Sequence, residues 1–108
     1  MIPEYKGMWL IAMFDLPVDT QARRRAYTRF RKTLLKDGFN KLQFSVYARF
    51  CVSEDASKVH RKLIRDELPE EGEVRVVTLT DHQFGKMEVY FGKKRTPTEE
   101  KPLQLEFF

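Results

Sequence analysis

Residues 8–14, MWLIAMF, form an unbroken apolar run that stops at Asp15 and meets Pro17 two residues later. Seven residues are too few for a helix of a globular domain, and an apolar run without alternation is the pattern of a central strand covered on both faces. The chain must therefore build layers around a sheet. With 108 residues it matches one compact domain. Such a domain buries only one modest core, so a large functional surface has to come from self-association or a partner.

Pro17 ends the strand, and Asp19 or Thr20 then caps a helix that runs to Gly38. Ala22, Ala26, Phe30, Thr33 and Leu34 recur at helical spacing and predict its buried stripe. The next segment, FNKLQFSVYARFCV, is rich in β-branched and aromatic residues and has no Gly, Pro or Asp to place a turn. It reads as one long bent strand or as two short strands meeting near Ser45. A second helix follows, capped by Ser53 and closed by Pro69, with Val59, Leu63 and Ile64 facing inward. EVRVVTLTD is a further strand after the Glu71-Gly72 turn, and MEVYFG another between Gly85 and Gly92.

From Lys93 the character changes. KKRTPTEEKP is charged, carries two prolines and reads as a linker, and it leads into LQLEFF. There Leu103, Leu105 and Phe107 alternate as in a strand, and we expect them to contact a dimer mate or another partner. The predicted organisation is a domain over residues 1–96 followed by a C-terminal linker and strand over residues 97–108. The element order indicates an α+β sandwich with two helices on one face of a mainly antiparallel sheet.

No stretch approaches the ~18 apolar residues a membrane span needs, and the N-terminus lacks a signal-peptide pattern. The single cysteine, Cys51, can make no internal disulfide, and the expected location is a reducing cytoplasm. Charge is unevenly placed: residues 1–50 carry ten Lys/Arg against four Asp/Glu, and residues 51–108 carry ten against twelve. The first helix concentrates this, with seven basic residues and no acid between Thr20 and Lys36. Arg25, Arg29, Lys32 and Lys36 follow i, i+4, i+7, i+11 and line one face opposite the apolar stripe. A merely solvated face would alternate signs to avoid self-repulsion. An all-basic ridge calls for an external counter-charge, and a phosphate backbone, above all that of duplex DNA, supplies one.

The aromatic residues Phe39, Phe44, Tyr47 and Phe50 offer a base-stacking platform on paper, but strand aromatics serve more often as core or interface. His60 on the second helix and His82 in a loop read as surface or packing residues. Asp15 is the sole carboxylate of the first strand and shares a face with Trp9, Ile11 and Met13 by the two-residue period. On residue chemistry alone it is a strand-end turn former before Pro17.

MFDLP at the end of strand one, the Arg-rich helix after it, GFNKLQFSVY, and VTLTDHQFGKMEVYFG together resemble the CRISPR-associated protein two family over roughly residues 8–95. This is the small partner of the CRISPR integrase in spacer acquisition. The resemblance implies a ferredoxin-like fold (βαββαβ), a homodimer, and an additional C-terminal strand that crosses to a neighbouring sheet. It also places Asp15 at the family's metal-binding position, implying a Mg²⁺-dependent endonuclease acting on RNA or double-stranded DNA. Family members are described as well as non-catalytic bridges that hold DNA between integrase dimers. One Asp per chain is meagre for two-metal hydrolysis, and a twofold axis near Asp15 would bring two together. The expected main role is the DNA-binding bridge, with Mg²⁺-dependent cleavage at Asp15 as the alternative. A generic RNA-binding module is disfavoured, because the chain lacks a GF-type RNP motif.

Overall fold

A computed structural model describes residues 7–93. Leu103, Leu105 and Phe107 lie outside the described residues, as does the expected boundary after residue 96. The elements run β1 (Met8–Asp15), α1 (Gln21–Lys36), β2 (Asn40–Gln43), β3 (Val46–Cys51), α2 (Glu54–Asp66), β4 (Glu73–Thr80) and α3 (Asp81–Gly85). The strands form one sheet in the order β2-β3-β1-β4, and every pairing is antiparallel. This is the βαββαβ order of a ferredoxin-like sandwich, with α3 appended.

β1 is the hub, pairing with β4 from Met8↔Thr80 to Asp15↔Glu73 and with β3 from Met8↔Cys51 to Met13↔Val46. Its even-numbered residues Leu10, Ala12 and Phe14 are buried in one cluster with Tyr27, Phe30 and Leu34 of α1, Tyr47 and Cys51 of β3, and Ile64 of α2. Both long helices thus cover one face. The expectation that β1 is covered on both faces holds in part: on its second face Ile11 is buried and Trp9 and Met13 are partly buried, and only Asp15 is exposed. Its odd-numbered residues turn to a face that no long helix covers, where Phe50 and Val77 are each 39% exposed.

The segment after α1 divides into two strands. Phe44 and Ser45 make the turn, Ser45 takes a φ of 62°, and its carbonyl accepts from the Phe14 amide at 3.1 Å. A serine in the left-handed region is uncommon, which is why no turn signal was visible in the residues. Thr20, and not Asp19, caps α1, its hydroxyl accepting from the Arg23 amide at 3.1 Å. The buried line is Tyr27, Phe30 and Leu34, which rotates Ala22 onto an exposed flank.

In α2 the inward positions are Ser57, His60 and Ile64, and Val59 is 67% exposed. Hydropathy misplaces this face because two polar residues on it are satisfied locally. The Ser57 hydroxyl donates to the Glu54 carbonyl at 2.6 Å, and His60 Nδ1 meets Asp37 Oδ2 at 2.7 Å. His60 is therefore a packing residue, whereas His82 sits in α3 and not in a loop.

MEVYFG is not a strand. Residues 87–92 run as exposed irregular chain, with Tyr90 81% and Phe91 63% exposed. β4 is an edge strand, and this apolar segment after α3 joins no ladder with it. Among the described residues no helix is long and apolar enough to cross a membrane.

Candidate functional site

Helical geometry sorts the cations of α1 by angle. At about 100° per residue, Arg23 lies on the side of Tyr27, Phe30 and Leu34, whereas Arg25, Arg29, Lys32 and Lys36 lie on the far side. Arg23 accordingly meets protein. Its Nε and Nη2 donate to the two Glu71 carboxylate oxygens at 2.7 and 3.0 Å, and Nη1 donates to Asp19 at 2.9 Å. These bonds hold the Asp19 and Glu71 carboxyls below their ordinary range and hold the Arg23 guanidinium still more firmly protonated. Arg24 donates to the Val18 carbonyl at 3.2 Å, and Arg31 hydrogen-bonds the Tyr47 phenol.

The four ridge residues are all exposed. Among the described residues none of them has an ion-pair partner. Asp19 and Glu71 are taken up by Arg23 at one end, and Arg29 lines the groove toward Asp66, Glu67 and Glu70 without forming an ion pair. What remains is a row of four like charges on a rigid rod spanning three turns. Such a row repels itself, and a polyanion laid along it removes the repulsion while releasing its own counterions.

Asp15 is exposed at the end of β1. Antiparallel register sets Glu73 directly opposite, so the two carboxylates share a face. Glu73 is met by Arg75 at 3.3 Å. Gly72, at φ 101°, brings the start of β4 against this strand end: a Cβ there would lie 2.8 Å from the Asp15 carbonyl oxygen and 2.6 Å from Leu16 Cδ2. The residue order hid Glu73, because its closeness to Asp15 comes from strand pairing across 58 positions.

Among the described residues no cluster of three or more His, Cys, Asp or Glu side chains is placed to hold a metal ion. Mg²⁺ characteristically takes one or two carboxylates and fills its octahedron with water and substrate phosphate. Asp15, with Glu73 beside it, fits that modest donor set in one chain and no fuller one.

The face that carries Asp15 also carries Glu73 and Arg75, opposite Asp15 and Met13, and beyond them on β1, β3 and β4 it is apolar. Trp9, Ile11 and Met13 of β1 lie beside Val46, Ala48 and Phe50 of β3 and Val77 and Leu79 of β4. Trp9 stacks on Phe84 of α3 with centroids 4.0 Å apart, packs edge-on to Phe50, and donates from Nε1 to Asp81 Oδ1 at 2.8 Å. α3 thus closes one end of the face; Ile11 and Ala48 in its middle are buried, and Phe50 and Val77 beside them are each 39% exposed. The structure brings Asp15 to this face and sets the four-residue ridge on the opposite side of the molecule's helical layer.

A family model described as CRISPR associated protein Cas2 matches residues 8–87 of the chain. A protein of Parvibaculum lavamentivorans named CRISPR-associated endoribonuclease Cas2 is 55% identical over 101 residues, covering 94% of this chain and 100% of its own length. One of the same name from Flavobacterium psychrophilum is 47% identical over 105 residues, covering 97% of this chain and 91% of its own. The fold is similar to that of a solved structure titled as a crystal structure of cas2, with a TM-score of 0.58 at 15% identity over 84% of this chain and 92% of that one.

Proposed function

This chain belongs to the CRISPR associated protein Cas2 family, and on that premise we propose that it acts as a homodimeric DNA-binding bridge for the CRISPR integrase in spacer acquisition. The observation that carries the reading is the ridge of Arg25, Arg29, Lys32 and Lys36, exposed and without an ion-pair partner among the described residues. A rigid cationic row suits a duplex, whose phosphates repeat regularly and carry no base identity.

The exposed side of the sheet supports the dimer part of this reading. The face presents exposed Phe50 and Val77 with partly exposed Trp9, Met13, Val46 and Leu79, and a second copy would cover it isologously. Face-to-face packing of two sheets leaves both α1 ridges on the outside, pointing away from each other. That is the disposition a bridge needs. Leu103, Leu105 and Phe107 are proposed to extend the contact to the mate or to the integrase by strand addition.

A second reading is favoured by Asp15 and by the relatives' printed name of endoribonuclease. In it the chain cleaves RNA or double-stranded DNA with Mg²⁺ held at Asp15. Because Asp15 lies on the same face as the proposed dimer contact, two copies would set two such carboxylates toward one axis. Mg²⁺ there would supply Lewis-acid stabilisation of the phosphate and an activated water. The residues of the chain itself would fix the ion through Asp15, and the ridge would hold the substrate backbone.

Spacer insertion reconstituted with the integrase separates the two readings. Asp15→Asn should leave insertion intact, and reversing charge at Arg25 and Arg29 should abolish it. Loss of insertion in Asp15→Asn, with DNA and integrase binding retained, would overturn the bridge as the main role.

A further inference from the structure

The fold separates the four aromatic residues of the β2–β3 segment. Phe39 and Tyr47 are buried to 2% and 1% exposure, and Phe50 leans on Trp9. Phe44 is different. It sits at the tip of the hairpin and is 40% exposed. Its ring lies within 23° of parallel to that of Tyr27, with centroids 6.1 Å apart, and the Lys41 ammonium stands 5.8 Å from its centroid.

Two contacts and a backbone torsion define this presentation. The Tyr27 hydroxyl is 3.1 Å from Ser45 Oγ, the Ser45 carbonyl is tied to the Phe14 amide at 3.1 Å, and Ser45 holds a φ of 62°. A non-glycine residue in that region is strained, and strain held by surrounding contacts tends to mark a site where presentation matters. The same concavity is lined by Asp15, Val18, Tyr27, Phe44 and Ser45. An exposed ring backed by a second ring, with a cation on a flexible stem lying over it, is the chemistry that receives a nucleobase once the cation swings aside to the adjoining phosphate. A base inside a duplex is already stacked on its neighbours, so only an unpaired one can use the ring.

We propose that Phe44 is a stacking site for an unpaired base, seating a single-stranded or splayed segment at the Asp15 end of the sheet, with Lys41 serving the adjoining phosphate. The site rests on the nucleic-acid-binding reading above and adds a ligand class to it: unpaired nucleotides at the hairpin tip, apart from the duplex on the α1 ridge.

The test uses the intact protein with three end-labelled DNAs of equal length: a single strand, a blunt duplex, and a duplex with splayed ends. Phe44→Ala should weaken the single strand and the splayed duplex by roughly 5- to 100-fold, leaving the blunt duplex unchanged. Phe44→Leu keeps bulk without a flat π-face and should lose as much. Phe44→Trp should restore binding, and its emission should be quenched by the single strand beyond the response of the protein bearing Trp9 alone. Wild-type affinity in Phe44→Leu, equal weakening of all three DNAs in Phe44→Ala, or no quenching in Phe44→Trp would each overturn the site. Failure of the wild type to bind blunt duplex would count against the ridge instead, and the single-strand comparison would still be readable.

Discussion

Asp15 and Gly72 occupy one strand crossing and impose different constraints on it. Asp15 contributes charge at an exposed position, so Asp15→Asn keeps shape and one acceptor oxygen while removing what a cation needs. Any Mg²⁺-dependent cleavage should fall to background in that variant, with the unfolding midpoint unchanged; cleavage at the wild-type rate would place the chemistry elsewhere. Gly72 contributes absence of bulk. A methyl group there would lie 2.6 Å from Leu16 Cδ2 on a backbone at φ 101°, a conformation that side chains rarely adopt. Gly72→Ala should cost about 1–3 kcal/mol, read as a lower denaturant midpoint at unchanged slope. The family resemblance marked Asp15 as a candidate, whereas residue chemistry alone read the acid ending the apolar run as a turn former. The sequence marked Glu71-Gly72 only as a turn, because the neighbours that make this glycine necessary arrive through β4.

The elements were legible where period and residue type agreed. β1, α1, α2 and β4 each carry an apolar period bounded by a cap, a proline or a glycine, and each formed within a residue or two of its expected limits. The reading failed where a polar residue takes a packing position. Ser57 and His60 turn inward on α2 because Glu54 and Asp37 satisfy them, so Val59 is left outside. It failed again at MEVYFG, whose composition suits a strand that a single subunit does not pair. The partly exposed face of the sheet poses the same question at larger size. Met13→Lys would set an ammonium in the middle of that face while sparing the core beneath the helices. Sedimentation should then report a monomer with unchanged far-ultraviolet dichroism, and a persistent dimer would assign the interface elsewhere. The link from α1 to the residue 69–72 turn is electrostatic. Arg23 lowers the Glu71 and Asp19 carboxyls, so their stabilising contribution is complete above the ordinary carboxylate range near pH 4 and is lost as pH falls through the depressed values. Arg23→Ala should therefore flatten the fall of the midpoint on acidification below about pH 4, a difference that equilibrium unfolding at stepped pH would read.

In the whole molecule, charge and apolar surface lie on opposite sides. The helical layer carries the basic ridge outward, and the sheet carries an apolar face and Asp15 on the other side. A net charge of +4 understates this arrangement, because the acids gather in the second half of the chain and around Arg23. Pairing two copies through the sheet therefore gives a particle that is apolar within and cationic on two outer flanks. Such a particle can hold a duplex without reading its sequence. The direct measurement is the affinity for a blunt duplex as a function of salt, for the wild type and for a variant with Arg25 and Arg29 changed to Glu, both verified as folded dimers. The slope of log K against log salt should fall by about 0.9 for each phosphate that the variant no longer neutralises, with weaker binding at every salt concentration and no dependence on sequence. An unchanged slope and affinity in the folded, dimeric variant would contradict the ridge as the DNA-binding surface.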